Sequence, residues 1–301
     1  MQRLDAAATE RLLDYPTLLR ALANVVAEYA RGEITSPERL VLPCGAGGGF
    51  LISMPCQAPD LLAHKLLTQY NGNRARGLPG IQGDVTCFDA ANGTPLFSLD
   101  AITATARRTA AVSMLGIRLL RSAPPSSCLL IGTGAQARAH VGALLELHPD
   151  LVIHVQGRAP GSAAAFCEGF GQPGRVRPVA TAAPPETDLV IAVTTSSTPV
   201  FDAAPRPGRL VVGAGSYRLD MVEIGPDIVR GSRLYVDDIV GAPGEAGDLL
   251  AAGIDWATVK PLAAALDDPP DGTEPVFFKS VGCAAWDLAA CRAARSRLPA
   301  G

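Results

Sequence analysis

The chain has 301 residues, of which 48% are hydrophobic, and its 26 basic and 29 acidic residues give a formal net charge of -3 at pH 7. This composition excludes extensive disorder and gives no basis for binding nucleic acid or anionic lipid, so it favours a small anionic or zwitterionic ligand. The seven cysteines form no C-x-x-C pair and no apolar run is long enough for a membrane span, so we expect reduced core thiols, no metal site and a cytoplasmic protein.

The first third of the chain predicts one helix followed by a mainly antiparallel sheet. Apolar residues at helical spacing over 12–30, with Gly32 behind them, predict the helix. Short apolar runs and an Asn92-Gly93 hairpin signal predict strands at 39–43, 50–55, 61–68, 81–88 and 95–99. The glycines of 45–49 lack the Lys-Ser/Thr of a phosphate loop and predict a plain turn, whereas the polar segment 70–80 predicts a loop suited to ligand contacts.

The rest of the chain alternates between strand-like and helix-like segments. A helix at 103–120 is expected to join two domains. Beyond Pro124-Pro125 the sequence pattern changes to short hydrophobic strands alternating with helical segments. The segments that follow are strands at 128–131, 152–155, 189–193, 209–213 and 234–236, helices at 136–147 and 163–170, and a last helix at 280–295 after a loop at 267–274. Alternating units of this kind predict a parallel sheet covered on both faces, and therefore an α/β protein with a Rossmann domain beside a mainly antiparallel α+β domain.

The strongest local signal is the strand, glycine turn and helix that begin at Cys128. Gly132 permits the tight turn, Gly134 lets a pyrophosphate approach the backbone, and Ala137 takes the place of a third glycine. The N-terminus of the following helix supplies N–H groups and the positive end of its dipole. The pattern predicts dinucleotide binding by Gly132, Thr133, Gly134, Ala135 and Gln136.

The end of the second strand of this domain bears on the choice of cofactor. An acidic side chain there selects NAD by binding the ribose 2′-hydroxyl, but the chain has Gln156-Gly157-Arg158. An arginine without a carboxylate favours the 2′-phosphate of NADP, so we expect NADPH to be preferred and NADH to remain possible.

The candidates for substrate contacts are cations. None of the four histidines stands in an arrangement typical of a dehydrogenase His-Asp pair, and His140 and His154 are expected to be packing residues. The candidates from the first domain are Arg39, Lys65, Asn71, Arg74, Arg76, Arg107 and Arg108. Lys65 stands out because it interrupts the apolar run 61–67, where a cation must reach an edge or meet an anion. Arg107 and Arg108 are expected to open the joining helix, one facing a cleft and the other solvent.

Motifs spread over nearly the whole chain resemble those of the ornithine cyclodeaminase and mu-crystallin family. They are Met54-Pro55, Lys65-Leu-Leu-Thr68 with Asn71, Gly77-Leu-Pro79, Arg108-Thr-Ala-Ala111-Val-Ser113, Gly132-Thr-Gly-Ala-Gln136-Ala, Thr194-Thr-Ser-Ser-Thr-Pro199-Val, Gly215-Ser-Tyr217, Lys279-Ser-Val-Gly282 and Asp287-Leu-Ala-Ala. Each motif is weak by itself, but together and in order they are highly specific.

The resemblance implies a division of the chain and a set of site residues. It implies a substrate-binding and dimerisation domain at 1–105, completed by a C-terminal helix at 280–301, and a Rossmann domain at 106–279. It also implies that Lys65 and Arg108 hold a substrate carboxylate and that Arg39 lines the pocket. The remaining implied residues are Met54, Asn71, Ser280 and Gly282 for the substrate and Thr194, Thr195 and Ser196 for the cofactor.

One departure from the family pattern separates possible activities. Ornithine cyclodeaminases carry a catalytic aspartate shortly before a Glu-Leu pair, and counting back from Glu223-Ile224 places Tyr217 there. The resemblance therefore implies a ketimine reductase that converts 1-pyrroline-2-carboxylate to L-proline, with 1-piperideine-2-carboxylate as a further substrate and Tyr217 or a water as proton donor. An ornithine cyclodeaminase in which Asp220 replaces the missing group, an alanine dehydrogenase and a non-enzymatic binding protein are the alternatives. A homodimer is expected.

Overall fold

The structure is a computed structural model that describes residues 1–45, 48–159, 161–179 and 184–299, without the side chains of Asn71 and Arg74. The first elements are β1 (Gln2–Arg3), α1 (Ala6–Leu12), α2 (Tyr15–Ala30), β2 (Leu40–Cys44), β3 (Gly49–Gln57), β4 (Leu61–Gln69), β5 (Ile81–Asp89), β6 (Pro95–Asp100) and α3 (Ala101–Leu120). They are followed by β7 (Ser127–Ile131), α4 (Ala135–Leu147), β8 (Val152–Gln156), α5 (Ser162–Glu168), β9 (Val176–Pro178), β10 (Leu189–Ala192), β11 (Leu210–Gly213), α6 (Pro226–Arg230), β12 (Arg233–Val236), α7 (Ala242–Glu245), α8 (Gly247–Ala252), β13 (Lys260–Pro261), β14 (Val276–Lys279) and α9 (Ala284–Arg295). Short 3-10 helices span Asn71–Arg76, Trp256–Thr258 and Leu262–Leu266.

The first compact unit consists of Met1–Ala111 and Cys283–Gly301. Its six-stranded sheet has the order β1-β6-β5-β4-β3-β2, and its strands pair antiparallel except for the parallel pair of β1 and β6. Helices α2 and α9 pack together, and α9 covers β3 and β4. The rings of Tyr29 and Trp286 meet edge to face at 6.0 Å, which places the core of this unit under the C-terminal helix.

The second compact unit, Val112–Gly282, contains a parallel sheet of eight strands. The order is β13-β12-β14-β11-β10-β7-β8-β9, and every strand pair in it is parallel. Successive strands run outward from β7 through β8 to β9, and the chain then returns to β10 on the other side of β7. This reversal is the topological switch point at which doubly wound sheets bind ligands. The predicted α/β fold class with a Rossmann domain is confirmed.

The N-terminal helical segment is divided differently from the prediction. A single helix over 12–30 was expected, but α1 ends at Leu12 and α2 begins at Tyr15. Asp14 caps the second helix because its Oδ1 accepts a hydrogen bond of 3.0 Å from the Thr17 N–H. Pro16, in the first turn, has no N–H to donate, so the proline and the cap together fix a new helix start.

A central strand was missed near the C-terminus. The prediction placed a loop at 267–274 and a helix from Ser280, but Val276–Lys279 forms β14 between β11 and β12, and α9 begins only at Ala284. Gly282 has φ +78°, a left-handed conformation that a helix cannot continue through. Four residues are too few to show a strand period, so the long-range pairing decided this element.

Two further expectations need correction. The segment 70–80 is not a plain loop, because it contains a 3-10 helix and is closed by a hydrogen bond of 2.7 Å from Tyr70 N–H to the Gly80 carbonyl. Arg107 and Arg108 do not open a helix. The helix begins at Ala101, with Asp100 Oδ1 accepting from the Thr103 N–H, and both arginines lie in its middle.

All seven cysteines are free, and six of them are buried, whereas Cys44 is half-buried. Among the described residues, no helix combines the length and apolar character that crossing a membrane requires.

Candidate functional site

A lysine lies inside the core of the first unit. Alternate side chains of β4, from Leu61 to Leu67, are buried, and Lys65 takes one of these positions. Lys65 is 2% exposed, and its Nζ lies 2.8 Å from Oδ2 of Asp287 on α9. An unpaired ammonium is too costly to bury, so the carboxylate from the C-terminal helix makes this position tolerable.

Helix α3 brings a second cation to the same carboxylate. Arg108 is 5% exposed, its Nε lies 3.3 Å from Oδ1 of Asp287, and the Asp287 side chain has no exposed surface. Within the described residues, three atoms have no partner in good hydrogen-bond geometry: both carboxylate oxygens of Asp287 and the Nε of Arg108. These ion pairs are therefore mainly Coulombic and leave hydrogen-bonding capacity in place. We call Lys65, Arg108 and Asp287 the basic cluster.

The charge of the basic cluster depends on pH through its lysine. Burial lowers the pKa of Lys65 from 10.5 to about 8, while the charge of Asp287 raises it and the charges of Arg108 and Arg39 lower it. Lys65 is therefore protonated at pH 7 and loses its proton as the pH rises through about 8. At neutral pH two cations face one carboxylate, so an excess of positive charge is buried in the basic cluster.

Two other predicted substrate residues lie close to Lys65. Met54 on β3 is the direct register partner of Lys65 and is 3% exposed. Arg39, just before β2, is half-buried, and its charge acts on the pKa of Lys65. The prediction for Asn71 concerns a side chain that lies outside the described part of the chain.

In the second unit, the turn after β7 fits a dinucleotide pyrophosphate. Gly132 has φ +126°, and a Cβ there would lie 2.8 Å from the carbonyl oxygen of Val193, so only glycine suits the position. Gly134 is the N-cap of α4 with no side-chain cap, and a Cβ there would meet nothing within 4 Å. The cap residue itself therefore supplies no side-chain acceptor for the first N–H groups of α4, at a helix end where an anion is stabilised.

The segment after β8 offers a cation and no carboxylate. β8 ends at Gln156, and Arg158 is exposed two residues later. A Cβ on Gly157 would overlap Oγ of Ser162 and lie 3.2 Å from Cγ2 of Thr133, so this segment packs tightly against the glycine turn. These residues fit the adenosine end of a dinucleotide and would tolerate a 2′-phosphate.

The loops that follow β10 and β11 are tied to one buried carboxylate. Oε1 of Glu223 accepts hydrogen bonds from the N–H and the hydroxyl of Thr194, at 2.6 and 3.0 Å. Oε2 accepts from the N–H groups of Gly215 and Ser216, each at 2.8 Å. The predicted cofactor residues Thr195 and Ser196 continue the first loop and Tyr217 the second, so these candidates belong to two segments that share one anchor.

A second carboxylate and a lysine surround this anchor. Asp248 Oδ1 accepts from the N–H groups of Glu223 and Ile224, at 2.6 and 2.9 Å. Nζ of Lys279 lies 2.8 Å from Asp248 Oδ2 and 3.9 Å from Glu223 Oε2, and all three side chains are fully buried. Lys279 also donates to Oγ of Ser216, which in turn donates to Asp248 at 3.0 Å. We call Glu223, Asp248, Lys279 and Ser216 the carboxylate network.

Ser280 and Gly282 have structural partners in this unit. Oδ2 of Asp237 accepts from the Ser280 hydroxyl at 2.8 Å and from the Gly282 N–H at 3.0 Å, and Oδ1 accepts from the Val281 N–H at 2.8 Å. Asp237 follows β12, so it fixes the segment that follows the neighbouring strand β14. The Ser280 hydroxyl already donates to a carboxylate, which leaves only its acceptor side for a substrate.

Tyr217 is half-buried, and the aspartate close to it is engaged elsewhere. Asp220 is exposed and accepts two hydrogen bonds from Arg218, at 2.9 and 2.6 Å. His140 is neutral, because burial lowers its pKa to about 4, and its ring nitrogens meet Ser113 Oγ at 2.9 Å and the Gln136 carbonyl at 2.8 Å. A packing role for His140 agrees with these contacts.

Sequence reasoning missed the charged residues that complete both sites. In the sequence Asp287 stands out only as part of a family motif and Glu223 only as a reference point for counting, and no motif singles out Asp237 or Asp248. A signal was available, since Asp287 stands in the alanine-rich run 284–294 and Lys279 directly follows Val-Phe-Phe. A charge inside a segment that is otherwise apolar must find a partner in the fold. Within the described residues, no group of three or more His, Cys, Asp or Glu side chains is arranged to hold a metal ion.

Known proteins resemble the chain over almost its entire length. A family model described as the ornithine cyclodeaminase/mu-crystallin family matches residues 2–301. The Delta(1)-pyrroline-2-carboxylate reductase 2 of Burkholderia ambifaria is 53% identical, over 98% of this chain and 96% of that protein. The Delta(1)-pyrroline-2-carboxylate/Delta(1)-piperideine-2-carboxylate reductase of Azospirillum brasilense is also 53% identical, with the same coverage. The structure of Thermococcus litoralis Delta(1)-pyrroline-2-carboxylate reductase in complex with NADH and L-proline matches with a TM-score of 0.86 and 26% identity, over 98% of this chain and 97% of that one.

Proposed function

The chain belongs to the ornithine cyclodeaminase/mu-crystallin family, and from this premise we propose that it is an NAD(P)H-dependent reductase of cyclic ketimine carboxylates. The substrate that we assign is 1-pyrroline-2-carboxylate, with L-proline as the product, and 1-piperideine-2-carboxylate as a further substrate. The relatives that are 53% identical support the reaction class. The observation within the structure that carries the proposal is the basic cluster, in which two buried cations share one carboxylate.

The basic cluster binds the substrate carboxylate. Adding one monoanion to Lys65, Arg108 and Asp287 balances two positive charges with two negative charges in a buried place. Arg108 offers a planar group of donors and Lys65 a point charge, so together they orient the carboxylate as well as neutralise it. Fixing the carboxylate fixes the adjacent imine carbon, and this positioning provides much of the rate enhancement.

The residues of the second unit hold the dinucleotide. Gly132 and Gly134 bring the backbone close to the pyrophosphate, and the N-terminal N–H groups of α4 bind its charge. The bound, reduced nicotinamide supplies a hydride for the imine carbon. The imine nitrogen takes up a proton in the same conversion, and we assign the phenol of Tyr217 as the candidate donor.

We propose that NADPH is preferred over NADH. Arg158 is exposed next to the end of β8, where its guanidinium can form charge-assisted bonds with a 2′-phosphate. The residue that ends the strand is Gln156, so no carboxylate repels the phosphate there.

A spectrophotometric assay tests the reductase assignment. NADPH and NADH oxidation would be followed with 1-pyrroline-2-carboxylate, with 1-piperideine-2-carboxylate, and with pyruvate plus ammonia. Rapid oxidation of the cofactor is expected with the cyclic imines. If only pyruvate plus ammonia supports cofactor oxidation, the protein is an alanine dehydrogenase. No turnover with any of these substrates, despite tight binding of the cofactor, would favour a binding protein.

A second assay separates the reductase from a cyclodeaminase. L-Ornithine should release no ammonia, because Tyr217 stands at the position of the family aspartate and Asp220 is bound to Arg218. Steady formation of proline from ornithine without added reductant would contradict the reductase assignment and would point to Asp220 as the substitute base.

We propose that the protein is a homodimer formed through the outer face of the first sheet. Leu40, Leu42 and Leu66 are 54%, 45% and 41% exposed. Ser53 pairs with both Leu40 and Leu66, so these leucines lie on one face, opposite the face that carries Met54 and Lys65. Clustered leucines of this kind mark an interaction surface, and a closed homo-oligomer would bury it.

Light scattering during size-exclusion chromatography tests this assembly. Leu66→Asp should reduce the mass of a dimer to that of a monomer, whereas Leu250→Asp, at a leucine that is 53% exposed on α8, should not. A monomeric wild type would refute the homodimer. The cytoplasmic location remains a prediction, which cell fractionation would test.

A further inference from the structure

The carboxylate of Glu223 lies between two loops of the second unit and bonds to both of them. It is fully buried, and both of its oxygens are used by the two loops that follow β10 and β11. Its donors include the backbone N–H groups of Thr194, Gly215 and Ser216, so it fixes main-chain geometry. A carboxylate that accepts several backbone N–H groups is strongly held and orients the peptides that donate to it.

The two loops also touch directly. A Cβ on Gly215 would overlap the backbone N and O of Thr194, so the chain after β11 lies against the chain after β10. Such close contact leaves no room for a side chain, and the relative position of the loops is then set by their common acceptor. Asp248 holds the N–H of Glu223 itself, and Lys279 lies between the two carboxylates.

These loops lie at the carboxyl edge of the sheet, on the far side of the switch point from the adenosine end. In the strand order, β10 and β11 follow β7 on the side opposite to β8. A dinucleotide that binds across the switch point, with its adenosine at the end of β8, extends its other nucleotide toward these strands.

We propose that Glu223, held by Asp248 and Lys279, is a positioning residue that sets the loops containing Thr194 and Ser216 for the nicotinamide half of the cofactor. This inference rests on the proposed function, because it assumes that the carboxyl edge binds NADPH or NADH. Glu223 acts through the peptides it orients and does not itself touch the cofactor.

The chain contains a matched control at the opposite edge of the same sheet. Asp188 directly precedes β10 and accepts from the N–H groups of Ser126 and Ser127, at 3.0 and 3.1 Å, and it pairs with Arg121 at 3.2 Å. It therefore also ties segments together through backbone N–H groups, but at the amino ends of the strands. Removing its charge weakens the fold without reaching the edge where ligands bind.

The experiment compares Glu223→Gln with Asp188→Asn in the full-length protein. In the glutamine variant an NH2 group faces N–H donors, so one loop loses its acceptor. Calorimetry would give the Kd for the preferred dinucleotide and for ADP-ribose or its 2′-phosphate, which lack the nicotinamide. Melting temperatures would be measured alongside.

Glu223→Gln should raise the Kd of the dinucleotide by about 10-fold or more, the effect of losing a hydrogen bond to a charged group. It should leave the Kd of the ADP-ribose fragment within about 2-fold, because that fragment binds beside β7 and β8. Asp188→Asn should lower the melting temperature and leave both Kd values unchanged. This selective loss is a result that general damage to the fold would not produce.

Three results would overturn the proposal. They are an unchanged dinucleotide Kd in Glu223→Gln, an equal loss of dinucleotide and fragment binding, and a selective loss in Asp188→Asn. If Glu223→Gln does not fold, Glu223→Asp decides, since it keeps the charge but shortens the side chain that reaches both loops, and an unchanged dinucleotide Kd there would also refute the inference. A wild type that binds dinucleotide but reduces no ketimine would refute the proposed function and leave this binding test intact.

Discussion

The basic cluster and the carboxylate network both bury lysine and carboxylate groups. They differ in how many hydrogen bonds their carboxylate oxygens accept. In the basic cluster two cations face Asp287, whose oxygens have no well-aligned donor among the described residues. In the carboxylate network one cation, Lys279, serves Glu223 and Asp248, whose oxygens accept from backbone and hydroxyl groups. Burial of charge alone does not identify a binding site. An excess of one sign together with unused hydrogen-bonding capacity supports the proposal of one, because a ligand of the opposite sign would complete the arrangement.

The largest effect is expected in the saturated network. Lys279→Met leaves Glu223 and Asp248 buried together without a cation, and losing one partner of a buried pair costs about 3 to 5 kcal/mol in the free energy of unfolding. Urea unfolding followed by circular dichroism would measure the loss. Lys260→Met is the control, because that lysine is 41% exposed and pairs with Asp268 at the surface, and its unfolding midpoint should hardly change. Equal stability of both variants would show that the network is not structural.

A smaller effect, on catalysis instead of stability, is expected in the basic cluster. Arg108→Lys exchanges a planar donor group for a point charge of different reach, which should weaken transition-state binding by about 2 to 4 kcal/mol, or about 30- to 1,000-fold in kcat/KM. Lys65→Met should also lower kcat/KM, because it removes the other cation of the basic cluster. NADPH affinity should not change in either variant.

The control for Arg108 is its neighbour on the same helix. The Nε of Arg107 donates to the Leu13 carbonyl at 2.6 Å, and its guanidinium lies 4.1 Å from the centre of the Tyr15 ring. Arg107→Lys should therefore affect the melting temperature more than kcat/KM. Near-normal turnover in both Arg108→Lys and Lys65→Met would mean that the carboxylate is held elsewhere, with Arg39 as the next candidate.

The pH dependence tests the role of the single carboxylate in the basic cluster. In the wild type the KM for pyrroline-2-carboxylate should rise as the pH passes about 8, where Lys65 loses its proton. Asp287 raises the pKa of Lys65, so Asp287→Asn should lower that pKa and move the rise in KM to lower pH.

Other groups around Lys65 also bear on its pKa. Arg108 and Arg39 already lower its pKa, and burial raises the pKa of the nearby Cys56 thiol to about 12, so that thiol stays neutral. Asp60→Asn is the control for Asp287→Asn, because Asp60 also binds a residue of helix α9, accepting from Arg292 at 2.6 Å, but does not pair with Lys65. Its KM should depend on pH as in the wild type. An identical dependence of KM on pH for Asp287→Asn and the wild type would show that the charge of Lys65 does not determine KM in the basic cluster.

The smallest effect is expected at an exposed cation outside both clusters. A contact of Arg158 with a 2′-phosphate is exposed to solvent and worth about 2- to 5-fold in kcat/KM. Arg158→Asp adds repulsion, so the preference should move from NADPH to NADH. Arg177→Asp, at an exposed arginine on β9, should leave the preference unchanged. A wild type with equal or better kcat/KM for NADH would show that Arg158 does not read the phosphate.

Much of the fold was predictable because its signals are local. The turn after β7 requires a glycine at Gly132 next to a buried strand, and the hairpin at Asn92-Gly93 depends on its own turn residues. Elements fixed by distant contacts were not predictable. The strand Val276–Lys279 exists because β11 and β12 pair with it on both sides, and its four residues show no period of their own.

The sequence by itself determined that one cation, Lys65, lies within an apolar run and that the turn at Gly132 and Gly134 has the spacing of a dinucleotide-binding turn. Lys65 within an apolar run and glycines at fixed spacing have a physical meaning that does not depend on the rest of the fold. Only the tertiary structure decided how the charges are paired. Asp287 meets Lys65 and Arg108 because α9 returns to the first sheet, and Glu223 meets Thr194 and Gly215 because two parallel strands end side by side. Ion pairs act over a few ångströms in space, whatever the separation along the chain, so a linear sequence names the charges but not their partners.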